Sequence, residues 1–434
     1  MATFYARSTD GSDADGGTTW PLAKATLTGA TNVLSTPSDT IYVSQSHAES
    51  SASSLAWSWF NTVATGVVRV ICGNDSAEPP TALATTATFT TTGTTNIQWA
   101  SGSTCTYAYG FSFFVGTGSG TGSFTATAAA TGMNVFESCN FRIVNTSTGS
   151  LITITNNTEV INCGFRFANN SQRINADMST KIKGGSIISG GTSPTAVFNT
   201  SPGICEGFDF SNCSAGVHLV SGTTPSGVSK FRHCKLPTSW SGAPHSGTPG
   251  FSQVIELINC TAGAVTYAYW RAGYTGTLKY ETVVVKSGGA SDGTTAVSWK
   301  MVSNANIFYP TVVLYSNEMM VRNAATGSSV IATVEIVTDN VTLKDDECWL
   351  ELFYMAGSGN AVVTRLTDFK AGYVATGANQ DSSSVTWTTT GLTTPVKQKL
   401  VVTFTPQLAG FVYGRVVLAK ASTTVYIDPK ITLT

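Results

Sequence analysis

Acidic residues are scarce in this chain, and the most suggestive two, Glu206 and Asp209, lie three positions apart. Enzymes that hydrolyse glycosidic bonds need two carboxyl groups about 5–10 Å apart across a groove, one as acid and one as base or nucleophile. Glu137 and Asp177 are the residues that could complete such a site with them. The same carboxylates would equally suit a solvated wall, which is the interpretation that the sequence favours.

A cluster of aromatic residues near position 270 is the second group that could bind a ligand. Rings that alternate along a strand can stack on sugars, or they can pack in a core or against a neighbouring chain. The sequence favours packing over glycan contact. The cluster consists of Tyr267, Tyr269, Trp270 and Tyr274.

Other catalytic patterns are missing from the sequence. The four histidines form no Ser-His-Asp pattern, and no nucleophile elbow of the G-x-S-x-G type occurs. The nine cysteines lack the C-x-x-C spacing of a structural zinc site. Asp13, Asp15 and Gly16 hint at a calcium loop but lack the remaining ligands of an EF-hand. We therefore expect no metal and no cofactor.

A repeated six-residue pattern predicts the elements that must position these side chains. It reads apolar, two small or polar residues, Cys or apolar, any residue, apolar, and it recurs about every two dozen residues. Such a period is typical of units stacked along one axis. Because the segments are rich in Val, Ile, Thr, Phe and Tyr, each copy is predicted to be one coil of a parallel β-helix. The fourth positions are Cys139, Cys163, Gly185, Phe208, Cys234, Cys260 and Val283.

Each position of the pattern has a predicted place in the coil. The first, fourth and sixth residues should point inward, because alternate residues of a strand share a face. The third should lie at a bend with a left-handed backbone, which Gly, Asn and His tolerate best. The second should point outward, so that Lys183, Glu206 and Arg232 become neighbours if the coils stack in register. The inward cysteines are then expected to be reduced core residues. The predicted core ladder is Cys139, Cys163, Phe208, Cys234, Cys260 and Val283.

The chain divides into three predicted segments. Residues 1–60 would form a lead-in and a cap over the first open coil, and residues 61–308 would form the β-helix. The pattern fades after about residue 300, where longer strands separated by turn signals follow. Residues 309–434 are therefore predicted to be an antiparallel β-sandwich or jelly roll.

Composition excludes several classes of partner. Charged residues make up only 11% of the chain, and the net charge is −1. No basic excess supports binding to nucleic acid or to anionic membranes. A membrane-spanning helix needs about 20 apolar residues, and no apolar run in the sequence approaches that length. The first residues of the chain lack the apolar core of a signal peptide. We expect a chain made in the cytoplasm without processing or membrane insertion.

Taken together, these residues resemble virion proteins of tailed bacteriophages, a group that includes tailspikes, tail fibres and head decorations or fibres. The resemblance is carried by the lead at residues 9–20, the stretch 39–49, the stacked coils and the C-terminal run 396–429. It implies a right-handed parallel β-helix, no cofactor and assembly as a homotrimer together with other virion proteins. It carries over no catalytic residue.

One departure from tailspikes shapes the expected function. Tailspikes usually begin with a separate particle-binding domain, whereas the β-helix lead here starts within the first twenty residues. This favours a non-enzymatic decoration or fibre protein on the virion surface that contacts host glycans. The alternative is a tailspike that depolymerises bacterial surface polysaccharide as a glycoside hydrolase or lyase. A third hypothesis, a secreted bacterial adhesin, is disfavoured by the missing signal peptide.

Overall fold

The chain forms two compact units, Met1–Ala264 and Val265–Thr434, in a computed structural model. Parallel strands build the first unit, and antiparallel strands build the second. The parallel β-helix expected from the sequence is confirmed. The described residues are 1–59, 66–129, 131–221, 227–246, 253–273, 276–281, 298–302, 322–324, 330–338, 348–356, 363–372, 385–387, 396–404, 410–418, 420, 422–427 and 432–434.

Three parallel sheets form the solenoid of the first unit, and successive coils supply their strands in turn. The first sheet contains β1 (Thr3–Ala6), β2 (Thr40–Ser44), β5 (Val67–Gly73), β8 (Cys105–Tyr109), β11 (Met133–Glu137), β14 (Thr158–Ile161), β17 (Lys181–Lys183), β20 (Ile204–Glu206), β22 (Gly227–Arg232) and β24 (Gln253–Ala262). The second contains β3 (Ala48–Ser51), β6 (Ala87–Thr91), β9 (Phe111–Val115), β12 (Asn140–Ile143), β15 (Gly164–Arg166) and β18 (Ser186–Ile187), and β23 (Lys235–Leu236) continues its course. The third contains β4 (Leu55–Ser58), β7 (Ile97–Gly102), β10 (Phe124–Ala128), β13 (Leu151–Ile154), β16 (Arg173–Ala176), β19 (Ala196–Thr200) and β21 (His218–Val220).

Two antiparallel sheets make up the described part of the second unit, and they contact each other through β31 and β33. The antiparallel strands expected there are present, and their packing as a sandwich stays a prediction. One sheet contains β25 (Val265–Gly273), β26 (Gly276–Glu281), β27 (Ser298–Val302), β29 (Val330–Thr338), β32 (Val385–Trp387), β33 (Val396–Phe404), β35 (Thr424–Ile427) and β36 (Thr432–Leu433). The other contains β28 (Arg322–Ala324), β30 (Cys348–Ala356), β31 (Val363–Gly372) and β34 (Gly410–Leu418).

The segment boundaries in the structure differ from the predicted ones at both ends of the solenoid. At the start, β1 already pairs in parallel with β2, so the first coil lies inside the segment assigned to a lead-in. A short helix, α1 (Leu27–Thr31), contacts β1 and β4, and it follows a 3-10 turn, Trp20–Leu22. At the far end, the units divide after Ala264, before the expected boundary at residue 308.

Left-handed residues mark the bend between the first and second sheets, as the sequence predicts. They occupy the third position of the repeated pattern, with φ between 51° and 65°. A short chain reversal of this kind suits Gly and Asn because their side chains tolerate the left-handed region. The residues are Ser138, Asn162, Gly184, Gly207, His233 and Asn259.

The last copy of the pattern is not a coil. Its first residue, Tyr280, lies in β26, which pairs antiparallel with β25 and β27. Its fourth residue, Val283, lies outside the described residues. Alternation of inward and outward residues is common to solenoid strands and hairpin strands, so the pattern alone does not distinguish them. This copy also lacks the Gly or Asn that marks most of the true bends.

Phenylalanine rings stack through the solenoid along the second sheet. The centroids of Phe89 and Phe113 are 5.7 Å apart, those of Phe113 and Phe141 are 5.4 Å apart, and those of Phe141 and Phe165 are 5.3 Å apart. The strands pair in register, which brings the same side chain of each coil over its neighbour. All four rings are fully buried. The continuous dry core expected from the sequence is confirmed.

Buried thiols make a second row of the core. Cys139, Cys163, Cys234 and Cys260 are at most 1% exposed, and all nine cysteines are free. Each ladder thiol donates to a carbonyl of the bend beside it and to one on the coil below. Cys163 Sγ, for example, lies 3.3 Å from the Ile161 oxygen and 3.4 Å from the Phe136 oxygen. The bend carbonyl of Ile161 also accepts the backbone N–H of Ser138 on the preceding coil, so the cysteine fills space and adds a second, weak donor to a carbonyl that is already bonded.

We expect the ladder thiols to resist alkylation in the folded protein. Burial raises the pKa of the Cys163 thiol and raises that of Cys213 to about 12, so little reactive thiolate forms at these sites. Cys105, which is only half-buried, should react first with iodoacetamide. Peptide mapping by mass spectrometry measures the rates, with the denatured chain as the control. Equal rates at Cys163 and Cys105 would contradict a closed core.

A buried carboxylate ties the beginning of the chain to the first sheet. Asp39 accepts hydrogen bonds from the backbone N–H groups of Ala2 (2.6 Å), Ser35 (2.9 Å) and Thr36 (2.8 Å). Burial opposes ionisation of Asp39, but these bonds and that of the Thr36 hydroxyl outweigh it and hold its pKa well below the usual range. The folded state therefore favours the ionised carboxylate.

Replacing Asp39 with asparagine should lower the free energy of unfolding at neutral pH by about 2 kcal/mol, because a charged acceptor of several bonds is lost. A depressed folded pKa stabilises the native state above the unfolded pKa of about 4, and this contribution disappears as the pH falls toward the folded pKa. When the pH falls below the unfolded pKa of about 4, the variant should therefore lose less free energy of unfolding than the parent protein loses. Urea unfolding along a pH series tests this, and parallel curves for the two proteins would refute it.

Candidate functional site

Charged and aromatic side chains gather on the outer face of the first sheet. Strand alternation sends Phe136, Val160 and Ile182 into the core, so the residues between them project outward. More than half of the charged residues between positions 100 and 264 lie on this surface. We call it the charged face. Its members are Tyr107, Tyr109, Glu137, Glu159, Lys181, Lys183, Glu206, Lys230, Arg232 and Glu256.

The coils place the outward residues of the predicted row in register. Glu137 pairs with Ile161, which pairs with Lys183, and the row continues through Glu206 to Arg232. The expected neighbours Lys183 and Glu206 are therefore confirmed as neighbours in the sheet. Neighbouring strands lie about 4.8 Å apart, so this row is a linear array of charges at that spacing.

Lys183 forms its ion pair with a different partner, Glu159 of the preceding coil. Lys183 Nζ lies 2.6 Å from Glu159 Oε1, and the Glu159 side chain is only 14% exposed. The Glu159 carboxylate raises the pKa of Lys183, and the charge of Glu206 adds to this effect. The Lys183 ammonium thus lies between the carboxylates of Glu159 and Glu206, and it is bonded to that of Glu159.

A hydrogen bond from the Tyr107 hydroxyl holds the carboxylate of Glu137. The Tyr107 hydroxyl donates a hydrogen bond to Glu137 Oε2 over 2.8 Å, from the coil on the opposite side to Glu159. Burial, together with the neighbouring Glu137, raises the pKa of Tyr107. The phenol therefore stays protonated at physiological pH and remains a hydrogen-bond donor.

Glu137 and Glu159 lie on adjacent coils of the charged face. Their strands are paired, and Glu159 precedes the direct partner of Glu137 by two residues. One strand spacing and two residues along the strand separate their Cα atoms by about 8 Å. The carboxylates are bonded on opposite sides, that of Glu137 to the preceding coil and that of Glu159 to the following coil, so the Cα separation is the only spacing that the register fixes.

The four carboxylates predicted from the sequence are not brought together. Glu206 is three coils from Glu137, about 14 Å away, beyond the range of a hydrolytic pair. Asp209 lies past the bend, where it pairs with Lys235 Nζ at 3.2 Å and bridges neighbouring strands through its backbone. Asp177 lies in the turn before β17, where it accepts the backbone N–H groups of Asn156 and Ser179. Asp177 and Asp209 therefore have structural partners.

Glu159 is the residue that the sequence analysis missed. In this coil the six-residue pattern begins at Val160, one residue after Glu159. That preceding position also faces outward, because residues two apart on a strand share a face. A pattern widened to seven residues by this position contains Glu159, together with Lys181, Lys230 and Glu256 in the same row.

The aromatic cluster shows the burial that packing produces. Tyr267 and Trp270 of β25 are 7% and 4% exposed, and their ring centroids are 5.4 Å apart. Tyr269 belongs to the same strand, and Tyr274 lies outside the described residues. Burial of this degree leaves little of the Tyr267 and Trp270 rings for stacking on a sugar.

Neither a spanning helix nor a metal-binding cluster occurs within the described ranges of the chain. No helix there has the length and hydrophobicity needed to cross a membrane. No group of three or more His, Cys, Asp or Glu side chains there is arranged to hold a metal ion.

Comparison with known proteins gives structural matches alone, since no family model and no curated protein sequence matches the chain. One match is the enzymatically active domain of tailspike protein 4 from bacteriophage CBA120, 10% identical, with a TM-score of 0.24, over 91% of this chain and 64% of that one. Another is WceF of Pantoea stewartii, described as a glycan biofilm modifying enzyme with a bacteriophage tailspike-like parallel β-helix fold. It is 8% identical, with a TM-score of 0.29, over 88% of this chain and 50% of that one. The chain thus spans half to two thirds of the lengths of these proteins.

These matches bear on two expectations from the sequence. The parallel β-helix that the resemblance implies is present in the structure itself. Both matched proteins are described as enzymes, contrary to the expectation of a non-enzymatic protein for this chain. The sequence favoured a non-enzyme because Glu206 and Asp209 suited a solvated wall and the resemblance carried over no catalytic residue. The pair Glu137 and Glu159 spans two copies of the repeated pattern.

Proposed function

We propose that the chain is a tailspike-like protein of a phage particle that hydrolyses bacterial surface polysaccharide on its charged face. One observation supports the proposal: Glu137 and Glu159 occupy adjacent coils with Cα atoms about 8 Å apart, within reach of one glycosidic bond if their side chains turn toward it. Both side chains are half-buried, and each is held by one defined partner, Tyr107 or Lys183. Such support fixes the direction of a carboxylate before a substrate arrives.

The pair would divide the two roles of glycoside hydrolysis. One carboxyl group protonates the leaving glycosidic oxygen, and the other activates a water molecule or attacks the anomeric carbon. The Lys183 ammonium balances the charge of Glu159 and can also bind an oxygen of the substrate. Tyr107, which stays protonated, holds Glu137 without competing with it for a proton.

The rest of the charged face suits a long polymer. Stacked coils form a straight platform, and its side chains repeat about every 4.8 Å along the solenoid axis. Lys181, Lys230 and Arg232 add donors on the side of the pair toward β24, and Tyr109 adds a half-exposed ring beside Glu137. Sugars are bound in proteins by such combinations of hydrogen-bond donors and aromatic surfaces.

The biological setting is part of the same proposal. We place the chain on the virion surface as a homotrimer in contact with other virion proteins, on the strength of the resemblance at residues 9–20, 39–49 and 396–429. A decoration or fibre role on the particle stays a prediction beside the tailspike role. Mass measurement in solution tests the trimer, and imaging of intact particles tests the location.

Cleavage can be tested directly with the full chain and purified capsular polysaccharide from candidate host bacteria. We expect new reducing ends without new absorbance from unsaturated sugars, which separates hydrolysis from lyase chemistry. Heat-denatured protein is the blank. Binding of the polysaccharide without any release of reducing ends, across all hosts that the phage infects, would refute the hydrolase and favour a decoration or fibre that only contacts glycans.

A further inference from the structure

A cavity of about 440 Å³ opens on the outside of the solenoid at the second sheet, on a different sheet from the charged face. Phe114, Ile143 and Phe167 give it an apolar lining, and Gly190 and Gly191 form one edge. Its volume falls within the range of about 300–1,000 Å³ that small-molecule sites occupy. We call it the arginine groove, because Arg142 and Arg166 also line it.

The two arginines are stacked on adjacent coils. Arg142 and Arg166 are direct partners in the pairing of β12 with β15, and Phe114 is the partner of Arg142 on the other side. The Arg142 guanidinium carbon lies 5.1 Å from the centroid of the Phe114 ring. Arg166 donates to the Gly190 carbonyl. Both cations are thereby oriented along one wall of the groove.

No carboxylate compensates this pair within the described residues. Neither arginine forms an ion pair there, no acidic residue lines the groove, and the buried Nε of Arg142 has no hydrogen-bond partner. Like charges directly opposite on neighbouring strands are destabilising, and a buried donor without a partner is costly. On the charged face, by contrast, Glu159 and Lys183 neutralise each other.

Close packing gives the groove its shape. A Cβ atom added to Gly191 would lie 2.7 Å from the Phe167 carbonyl oxygen and 2.8 Å from Arg166 Cγ. Gly190 has a φ of +74°, in the left-handed region that glycine favours. Gly191 therefore lies against Arg166 because it lacks a side chain, and Gly190 permits the left-handed turn that precedes it. A rigid wall of this kind holds an anion site open before the ligand arrives.

We infer that the arginine groove binds a carboxylate-bearing sugar, a uronic acid residue of the polysaccharide, outside the cleavage site. Two guanidinium groups supply forked donors for a carboxylate, and Phe114 and Ile143 offer an apolar surface to the C–H face of the ring. This inference deepens the proposed function and rests on it. It names an acidic polysaccharide as the substrate class.

Binding can be measured apart from cleavage by using the full chain with Glu137→Gln and Glu159→Gln, titrated calorimetrically with galacturonate hexamers. We expect binding of the hexamer at least tenfold tighter than of maltohexaose, and at least tenfold weaker binding after Arg142→Gln or Arg166→Gln. Arg166→Lys keeps the charge but loses the fork, so it should fall between. Arg173→Gln is the matched control, because Arg173 lies on the third sheet and bonds Ser221 and Thr195.

Three outcomes would overturn the inference. They are equal affinity for the neutral and acidic hexamers, unchanged affinity in both glutamine variants, and inorganic phosphate binding as tightly as the hexamer. A melting temperature within error of the parent shows that each variant is folded. Failure of cleavage by the parent chain leaves this binding assay intact, so the two proposals fail separately.

Discussion

Replacing Phe113 with alanine is expected to lower the free energy of unfolding by about 4 kcal/mol, the usual cost of deleting a fully buried phenylalanine ring. Phe113 stacks on Phe89 and Phe141, and its centroid is also 5.0 Å from that of Phe124. Its removal leaves a cavity in the middle of the stack. Because each coil of a solenoid is stabilised by its neighbours, the loss falls on interfaces both above and below.

The adjacent residue provides a matched control. Phe114 has the same side chain on the same strand, but it points outward to Arg142, and it is only half-buried. Phe114→Ala should therefore cost no more than about 1 kcal/mol. Urea unfolding of the full chain, followed by the fluorescence of Trp57 and Trp99 near the stack, measures both variants. Losses of similar size at the two positions would show that the stack does not carry the stability of the solenoid.

The coils could be predicted from the sequence because every coil of a solenoid places the same restrictions on the same positions of the repeated pattern. Inward residues must be apolar, and a bend must admit a left-handed backbone, so Cys163 and Asn162 are restricted wherever the coil recurs. These restrictions recur at a nearly constant interval, which makes them visible along the chain. The pattern ends with the copy that contains Cys260. The second unit begins five residues later, at Val265, and only the alternation of strand residues persists there.

The candidate site could be predicted only in part. Glu137 stood out because it belongs to the pattern, whereas its partner Glu159 lies on the next coil, 22 residues later in the chain. Which outward side chains meet depends on the register between neighbouring coils and on how far each side chain extends across the strands. Neither can be read from a single copy of the repeated pattern. The same holds for Arg142 and Arg166, whose pairing appears only when β12 and β15 are aligned.

Replacing Glu159 with glutamine should lower kcat for polysaccharide cleavage by about 10³-fold, and Glu137→Gln should do the same. Loss of a positioned acid or base typically costs 10²–10⁴-fold. Glutamine keeps the shape of the side chain and one acceptor oxygen for Tyr107 or Lys183, so the charged face should stay folded. Release of reducing ends at saturating polysaccharide gives kcat, and its dependence on polysaccharide concentration gives KM.

Glu206→Gln is the informative comparison. Glu206 belongs to the same outward row as Glu137 and was the leading catalytic candidate in the sequence, but it lies three coils away. Its replacement should alter KM at most and leave kcat within about threefold, since a group about 14 Å from Glu137 is out of reach of the same glycosidic bond. A loss of kcat at Glu206 equal to that at Glu137 would move the reaction away from the proposed pair.

The double variant distinguishes a catalytic pair from two independent contacts. Residues that act on the same bond are strongly non-additive, so Glu137→Gln combined with Glu159→Gln should lose little more activity than either change alone. Two separate substrate contacts would instead multiply their effects, because sites without a shared partner contribute independent free energies. A multiplied loss would therefore assign these carboxylates to binding, and it would leave the reacting groups to be found elsewhere on the solenoid.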